Sequence, residues 1–193
     1  MRKNAAPIVL AALLTTGLIT PAVASASAAV VEVRLTTTST MRESDSLFVC
    51  PSNQVMIGRE HHGDENGYTT YRCGRIFING EQVTVLSLYP YSAGAPKYEP
   101  DSFFTTDEDK AIVGRKHIGD ETAFTTYYAG TMFWKGQVVK VGSRRWTDLM
   151  YENDHSSRAE AAEIMTGRWH GGDENGMTTY EYGTVTVDGG QPT

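Results

Sequence analysis

The sequence predicts an all-β protein: a single domain of three repeated β-meander units with pseudo-threefold, trefoil-like symmetry. Three observations predict this fold. One motif occurs three times, each copy has the pattern of a β-hairpin, and no stretch of useful length has helical periodicity. Only Ser156–Met165 could form a short helix. The units span about residues 43–98, 99–151 and 152–193.

The repeated motif is 17 residues long, and ten of its positions are identical in all three copies. The copies start 56 and 53 residues apart, and Asp45, Asp101 and Asp154 each lie 13 residues before the first glycine of a copy. Such self-similarity indicates a repeat architecture. The copies are Gly58–Gly74 (GREHHGDENGYTTYRCG), Gly114–Gly130 (GRKHIGDETAFTTYYAG) and Gly167–Gly183 (GRWHGGDENGMTTYEYG).

Each copy is predicted to form a hairpin and to continue into a third strand. In the first copy, Val55–His62 and Tyr68–Ile78 are rich in β-branched and aromatic residues and flank a loop with glycine at both ends. Asn79-Gly80 marks a second turn, so Gln82–Leu88 is expected to be the third strand of the meander. Gln137–Val141 is its counterpart in the second unit.

The third unit has no counterpart of these third strands before Thr193. Val30–Leu35 (VVEVRL) precedes the first unit and alternates apolar with charged residues, as a strand does. We expect Val31, Val33 and Leu35 to be buried and the segment to close the ring, because unpaired strand edges are usually covered.

The alternative is that residues 29–41 form an arm, with Thr36–Met41 as a loose tether. Such an arm would add to a partner's sheet or enter a partner's cleft. The candidate partner-binding residues are Val30, Val31, Glu32, Val33, Arg34 and Leu35, together with Trp169.

Residues 1–28 have the pattern of a secretory signal peptide, with Arg2 and Lys3 before the apolar stretch Ile8–Ile19 and small residues up to Ala28. The apolar stretch is shorter than the roughly 20 residues that span a bilayer. Removing the signal takes away two of the 17 basic residues and none of the 23 acidic ones. The sequence therefore predicts an acidic, secreted, extracellular protein that neither binds nucleic acid nor inserts into membranes.

Cys50 and Cys73 are predicted to form a disulfide in an oxidising compartment. Closing a loop of this length stabilises a fold by about 3 kcal/mol in the chain-entropy description. In a regular hairpin Cys73 would lie opposite Ile57. With only these two cysteines, a cysteine-based zinc site is excluded.

A symmetrical hairpin places Arg59 opposite Tyr71 and His61 opposite Thr69, with all four side chains on one face. The residues between them vary among the copies, so the opposite face is expected to be the solvent side. The repeated face either packs the units together or forms a ligand pocket that is repeated three times. Its residues are Arg59, His61, Asp64 and Tyr71, with Arg115, His117, Asp120 and Tyr127, and Arg168, His170, Asp173 and Tyr180.

We expect no metal, no cofactor and no catalysis. His61, His117 and His170 could meet on an axis as a zinc site, although equivalent residues near an axis more often serve packing. The GDENG loop lacks the spacing of a calcium-binding loop. No nucleophile–base motif occurs, and every candidate residue is present three times, whereas an active site is asymmetric.

The aromatic residues that differ between the copies are candidates for a partner-specific patch, or else fill the core. The Pro-rich connection Tyr89–Asp101 is predicted to be an exposed loop. The variable aromatic residues are Tyr89, Tyr91, Trp134, Trp146 and Trp169.

The signal, the strand-like extension and the three GR-x-H-x-GDE-x-x-x-TTY units together resemble the small secreted adaptor subunit of the Streptomyces umbrella toxins. The resemblance covers nearly all of the mature chain, through its organisation rather than one diagnostic motif. It implies a non-enzymatic bridge between a stalk subunit with helical repeats and subunits that carry a trypsin-like domain and lectin modules. The family's N-terminal extension engages the trypsin-like domain, and only Ala29–Met41 could do so here.

A rival function is that of a multivalent lectin, in which Asp64, Asn66, Arg59 and Tyr71 would bind glycans. Thr122-Ala123 replaces the Asn-Gly of the other two loops, which argues partly against it. A second alternative is a secreted protease inhibitor that presents its arm or the loop after Tyr89.

Overall fold

The structure, a computed structural model, describes residues 29–187 apart from residues 65, 121 and 174. The predicted signal peptide lies outside the described residues. The described chain is all-β, as predicted, with 16 strands in three sheets and no helix. The strands are β1 (Val31–Arg42), β2 (Leu47–Val49), β3 (Val55–His62), β4 (Tyr68–Ile78), β5 (Glu81–Gln82), β6 (Thr84–Ser87), β7 (Lys97–Tyr98), β8 (Asp101–Thr105), β9 (Lys110–Ile118), β10 (Phe124–Trp134), β11 (Gln137–Val138), β12 (Lys140–Trp146), β13 (Met150–Tyr151), β14 (Asp154–Arg158), β15 (Glu163–Gly171) and β16 (Met177–Thr186).

Each sheet is built around one of the repeated hairpins. The hairpin β3–β4 forms the centre of the first sheet, β9–β10 that of the second and β15–β16 that of the third. Each hairpin also receives a short strand from another part of the chain: β14 pairs with β3, β2 with β9 and β8 with β15. The sheets are therefore interlocked by strand exchange.

The third strand of each meander leaves its own hairpin, contrary to the prediction for Gln82–Leu88 and Gln137–Val141. Only β5 pairs with β4, whereas β6 crosses to β10 of the second sheet. In the same way β11 pairs with β10, and β12 crosses to β16 of the third sheet. Val83, between β5 and β6, is fully buried and donates its N–H to the carbonyl of Ile76 at 2.9 Å. The chain thus bends over the core before it reaches the next sheet.

Strand β1 pairs antiparallel with β4, from Val31 opposite Ile78 to Arg42 opposite Tyr68. It lies on β4 as β6 lies on β10 and β12 on β16. The expectation of a loose tether over residues 36–41 is wrong, because these residues continue the strand. Leu35 was expected to be buried but is 48% exposed, since a register shift between Leu35 and Thr37 interrupts the alternation.

Deleting residues 29–36 is expected to lower the free energy of unfolding by about 3 kcal/mol, because Val31 and Val33 pack against the core and their removal exposes half of the β4 edge. Urea and thermal unfolding measure the effect. The substitution Leu35→Ser, at an exposed position of the same strand, is the control and should change stability little. Normal melting of the truncated protein would contradict the prediction.

The hairpin register is the predicted one, with Arg59 opposite Tyr71 and His61 opposite Thr69. A bulge between Met56 and Gly58 places Cys73 opposite Met56 rather than Ile57. Cys50 and Cys73 form the predicted disulfide, with 5.9 Å between their Cα atoms.

The short helix considered for Ser156–Met165 does not form. This segment contains the end of β14, a turn with Ala162 at a φ of 60°, and the start of β15. Two clusters form the core, one mainly aliphatic and one beside the disulfide that contains the repeated tyrosines. None of the described residues belongs to a helix capable of crossing a membrane.

Candidate functional site

The repeated face of the hairpins is enclosed in the interior of the protein. Arg59, Arg115 and Arg168, which come from β3, β9 and β15, expose at most 2% of their surface. The repeated histidines and tyrosines of this face are buried with them: His61, His117, His170, Tyr71, Tyr127 and Tyr180.

Three buried glutamates, Glu43, Glu99 and Glu152, alternate with the arginines in a closed ring. Each guanidinium group contacts two carboxylates, and each carboxylate contacts two guanidinium groups. The contacts are Arg59–Glu43 (3.0 Å), Arg59–Glu152 (2.8 Å), Arg115–Glu43, Arg115–Glu99 (3.2 Å), Arg168–Glu99 (2.6 Å) and Arg168–Glu152 (3.0 Å). Because the arginines belong to three different sheets, this ion-pair ring joins all three sheets at one centre.

The three glutamates were not among the predicted residues, although the repeat carries a signal for them. Each lies 15 residues before the first glycine of its copy and two residues before the recurring aspartate, outside the 17-residue window. Glutamate is almost never fully buried unless it is paired. The burial of the three glutamates could therefore be predicted only from the positions of the arginines that pair with them.

The electrostatics of the ion-pair ring favour ionised carboxylates. Burial alone would raise the pKa of Glu43, but Arg115 and Arg59 hold it well below its ordinary value. Burial acts in the same sense on Glu99, and Arg168 and Arg115 lower its pKa to about 2. Burial would likewise raise the pKa of Glu152, but Arg168 and Arg59 hold it well below its ordinary value. Three carboxylate charges therefore balance three guanidinium charges in the interior of the protein.

The ion-pair ring has different surroundings where Arg59 meets Glu152. There His155 occupies the repeat position at which the other two units have Ser46 and Ser102. Tyr180 accepts a hydrogen bond from Arg59 at 2.7 Å, and its hydroxyl lies 2.7 Å from His155 Nε2. His155 Nδ1 lies 2.9 Å from a main-chain carbonyl, so it donates there and Nε2 accepts. Burial, and next the charge of Arg59, lower the pKa of His155 to about 4.

The repeated histidines are held by their own hairpins. His61 Nδ1 lies 2.8 Å from the hydroxyl of Thr69, and His117 Nδ1 lies 3.0 Å from that of Thr125. Burial, followed by the neighbouring arginine, lowers the pKa of His61 and brings that of His117 to about 4. Within the described part of the chain, no group of three histidine, cysteine, aspartate or glutamate residues is arranged to hold a metal ion.

The repeated aspartates do not join the buried face. Asp64, Asp120 and Asp173 are exposed on the hairpin loops, where each carboxylate accepts the main-chain N–H two residues further on at 2.9 to 3.0 Å. Arg59 and Tyr71 are enclosed while Asp64 faces solvent. The sugar site expected from Asp64, Asn66, Arg59 and Tyr71 is therefore not assembled.

The three hairpin loops are connected to one another by hydrogen bonds through residues 43–45, 99–100 and 152–153, and we call this region the loop end. Main-chain hydrogen bonds link each loop to the segments that precede the exchanged strands. These include Gly63 N to Asn153 O (2.8 Å), Glu152 N to Gly176 O (2.9 Å), Gly172 N to Pro100 O (2.9 Å), Glu99 N to Ala123 O (2.9 Å) and Glu43 N to Gly67 O (3.0 Å). Gly119 N closes the circle through the carboxylate of Asp45 at 3.0 Å. Tyr68, Phe124 and Tyr98 are exposed at this loop end.

An aromatic patch lies on the outer face of the third sheet and consists of Phe103, Trp146 and Trp169. Phe103 is 53% exposed, lies opposite Trp169 on the neighbouring strand, and stacks on Trp146 with 5.6 Å between ring centroids. Of the predicted variable aromatic residues, Trp146 and Trp169 are brought together here. Tyr89 and Tyr91 are exposed elsewhere, and Trp134 packs against the core.

The predicted partner-binding residues of β1 have mixed surroundings. Val31 and Val33 contact the core, whereas Val30 and Leu35 are exposed. Arg34 pairs with its neighbour on the strand, Glu32, at 2.5 Å, and lies over the ring of Phe77 at 4.2 Å. No strand of the described residues pairs with the outer edge of β1.

No family model, no curated protein and no solved structure matches this chain.

Proposed function

We propose that this protein is a secreted, non-catalytic adaptor that binds other proteins through the aromatic patch. The observation that carries the proposal is a comparison between sheets. Ser156 on the first sheet occupies the repeat position of Phe103, and Glu60 that of Trp169. The same strand pairing is therefore made with polar residues on one sheet and aromatic residues on another.

Folding does not require aromatic side chains at these positions, because the first sheet forms without them. Exposed aromatic clusters are typical of protein-binding surfaces, where tryptophan and tyrosine are enriched among the residues that dominate binding energy. The patch is thus best explained by a partner.

An adaptor needs a second surface, and the outer edge of β1 provides one on the first sheet. No strand of the described residues pairs with the outer edge of this 12-residue strand, and such an edge can accept a strand from another protein. The resemblance to the umbrella-toxin adaptors suggests the partners, a stalk subunit with helical repeats and a subunit with trypsin-like and lectin modules. The ion-pair ring would hold the two surfaces rigidly relative to each other.

The same proposal includes two features of the chain as a whole. Residues 1–28 act as a signal peptide, which is supported by a disulfide of the kind that persists in oxidising compartments. The three units are equivalent about a threefold axis, with β1 completing the third. The closed ion-pair ring and the exchange of β2, β8 and β14 support this arrangement.

The experiment is affinity capture of secreted proteins from the native culture medium, followed by mass spectrometry. The double variant Phe103→Ser, Trp169→Glu gives the third sheet the residues that the first sheet carries. We expect this variant to fold normally and to capture at least about tenfold less of a helical-repeat or trypsin-like partner than the wild type does. A double variant on the first sheet, Glu60→Gln with Ser156→Ala, is the control and should capture normally.

Unchanged capture by the aromatic-patch variant would exclude this surface.

A second candidate, a lectin, is favoured by Tyr68, Phe124 and Tyr98, which are exposed beside the hairpin loops. Retention on a sugar resin that is lost in the variant Tyr68→Ala, Phe124→Ala would support the lectin instead. Stoichiometric capture of an active protease alone would support the inhibitor.

A further inference from the structure

A cleft of about 340 Å³ lies beside β6, between that strand and the segment of residues 49–54. We call it the β6 cleft. Its lining includes Gln54, Ser87 and Tyr89. It is separate from the aromatic patch, because β6 belongs to the second sheet.

The segment of residues 105–110 repeats the main-chain course of residues 49–54 in another part of the fold. The matching hydrogen bonds are Cys50 N to Val113 O (2.7 Å) with Thr106 N to Thr166 O (2.9 Å), and Gln54 N to Pro51 O (3.1 Å) with Lys110 N to Asp107 O (3.2 Å). The strand beside this second segment is β12, which pairs with β16 as β6 pairs with β10. The two places are therefore equivalent within the repeat.

Beside β12, the equivalent place is filled by the side chain of Arg144. Its guanidinium group donates to the main-chain carbonyls of Thr106 and Asp107, both at 2.8 Å, and to the hydroxyl of Thr105 at 3.0 Å. It also pairs with Glu181 at 3.0 Å. This place in the fold therefore accommodates a guanidinium group.

The β6 cleft lacks such a side chain. Ser87 on β6 lies opposite Gly130 on β10. At the equivalent place on β16, Arg144 lies beside Gly183. In β12 a one-residue bulge after Gly142 sets both Ser143 and Arg144 against this glycine, whereas β6 has no bulge and only Ser87 there, so the cleft stays open. By the same equivalence, the carbonyls of Cys50 and Pro51 correspond to those of Thr106 and Asp107, which accept hydrogen bonds from Arg144.

The cleft also contains a buried polar group without a partner. Gln54 is 4% exposed, and its Oε1 accepts no hydrogen bond within the part of the chain that the structure describes. Gln54 lines the cleft, so a donor that enters the cleft is the candidate partner of this oxygen. Buried polar groups are normally paired, and an unpaired one indicates a missing partner. Tyr89 adds an aromatic surface, 44% exposed, on which a planar cation can stack.

We propose that the β6 cleft receives an arginine side chain from a partner protein. The guanidinium group would donate to the carbonyls of Cys50 and Pro51 and to Gln54, and would lie against Tyr89. It has five donors in a planar fork and no acceptor, which suits a site made of carbonyl oxygens. The net charge of −6 favours the approach of a cation. This inference rests on the proposed adaptor function and names a side chain that a partner would contribute. Its test uses a free arginine derivative, so the outcome does not depend on the capture experiment.

The test is a titration of the isotope-labelled protein with N-acetyl-arginine amide, followed by NMR. We expect chemical-shift changes at the Gln54 side-chain amide and at the main-chain amides of Val85 and Ser87. N-acetyl-citrulline amide has the same shape without the charge and should bind at least about tenfold more weakly. Equal responses to both compounds, changes confined to the aromatic patch, or no changes would overturn the proposal.

Two substitutions test the place of binding. Ser87→Arg supplies the cleft with its own guanidinium group, as β12 does, and should abolish the response to the arginine derivative. Gln54→Leu removes one acceptor and should weaken binding about tenfold. Ser87→Ala is the control and should bind as the wild type does. Normal binding by a folded Ser87→Arg or Gln54→Leu protein would exclude the cleft.

Discussion

Replacing Glu99 by glutamine is expected to lower the free energy of unfolding by about 3–5 kcal/mol. Glu99 is the carboxylate that joins Arg115 to Arg168, at 3.2 and 2.6 Å. Glutamine keeps the shape but not the charge, so two carboxylates would face three buried guanidinium groups. The uncompensated positive charge would lie where water does not reach, and breaking a buried pair on one side is costly for that reason.

Urea unfolding at pH 7 measures the effect, and Glu108→Gln is the matched control. Glu108 pairs with Lys140 at 2.9 Å, but both side chains are largely exposed. Exposed pairs contribute about 0–1 kcal/mol, so the control should be close to the wild type. A Glu99→Gln protein as stable as the control would show that the ion-pair ring is not essential to the fold.

Acidification from pH 7 to pH 4 is expected to destabilise the protein strongly, before most carboxylates are protonated. His117 and His155 have an ordinary pKa of 6.5 in the unfolded chain and a pKa of about 4 in the folded protein. Between these values the unfolded state binds more protons than the folded state, so stability falls as the pH falls. Each histidine would contribute a loss on the order of 2–3 kcal/mol.

The carboxylates extend the loss to lower pH. Glu99 has its pKa lowered from 4.5 to about 2, so its stabilising effect is complete above pH 4.5 and is lost towards pH 2.

His62 affects stability in the opposite direction, because hydrogen bonds with Glu60 and then Asp154 raise its pKa. Its contribution is present below its ordinary pKa and is lost as the pH rises, but its side chain is exposed and the effect is small.

The pH dependence is measured by urea unfolding at intervals from pH 7.5 to pH 4. His155→Ser provides a matched variant, because serine occupies the corresponding positions 46 and 102. It should reduce the slope of stability against pH by up to about 1.4 kcal/mol per pH unit, the effect of one proton. A stability that stays constant down to pH 4 in the wild type would contradict the neutral, buried histidines.

The sequence by itself determined the all-β class, the disulfide and the pairing of Arg59 with Tyr71. These features depend on the alternation of side chains along a strand and on the turn residues between two strands, both of which are local in the chain. Even here the bulge after Met56 displaced the partner of Cys73 by one residue. The repeat was visible because identical residues recur at nearly constant spacing.

Only the tertiary structure decided where β6 and β12 go, how far β1 extends and which residues complete the buried face. A strand's propensity is local, but its neighbour in a sheet is chosen by contacts between distant segments. The same holds for charge, since an arginine or glutamate in a sequence is expected at the surface unless a partner is buried with it. The ion-pair ring exists because three exchanged segments bring Glu43, Glu99 and Glu152 to arginines of other strands, and no single segment contains that information.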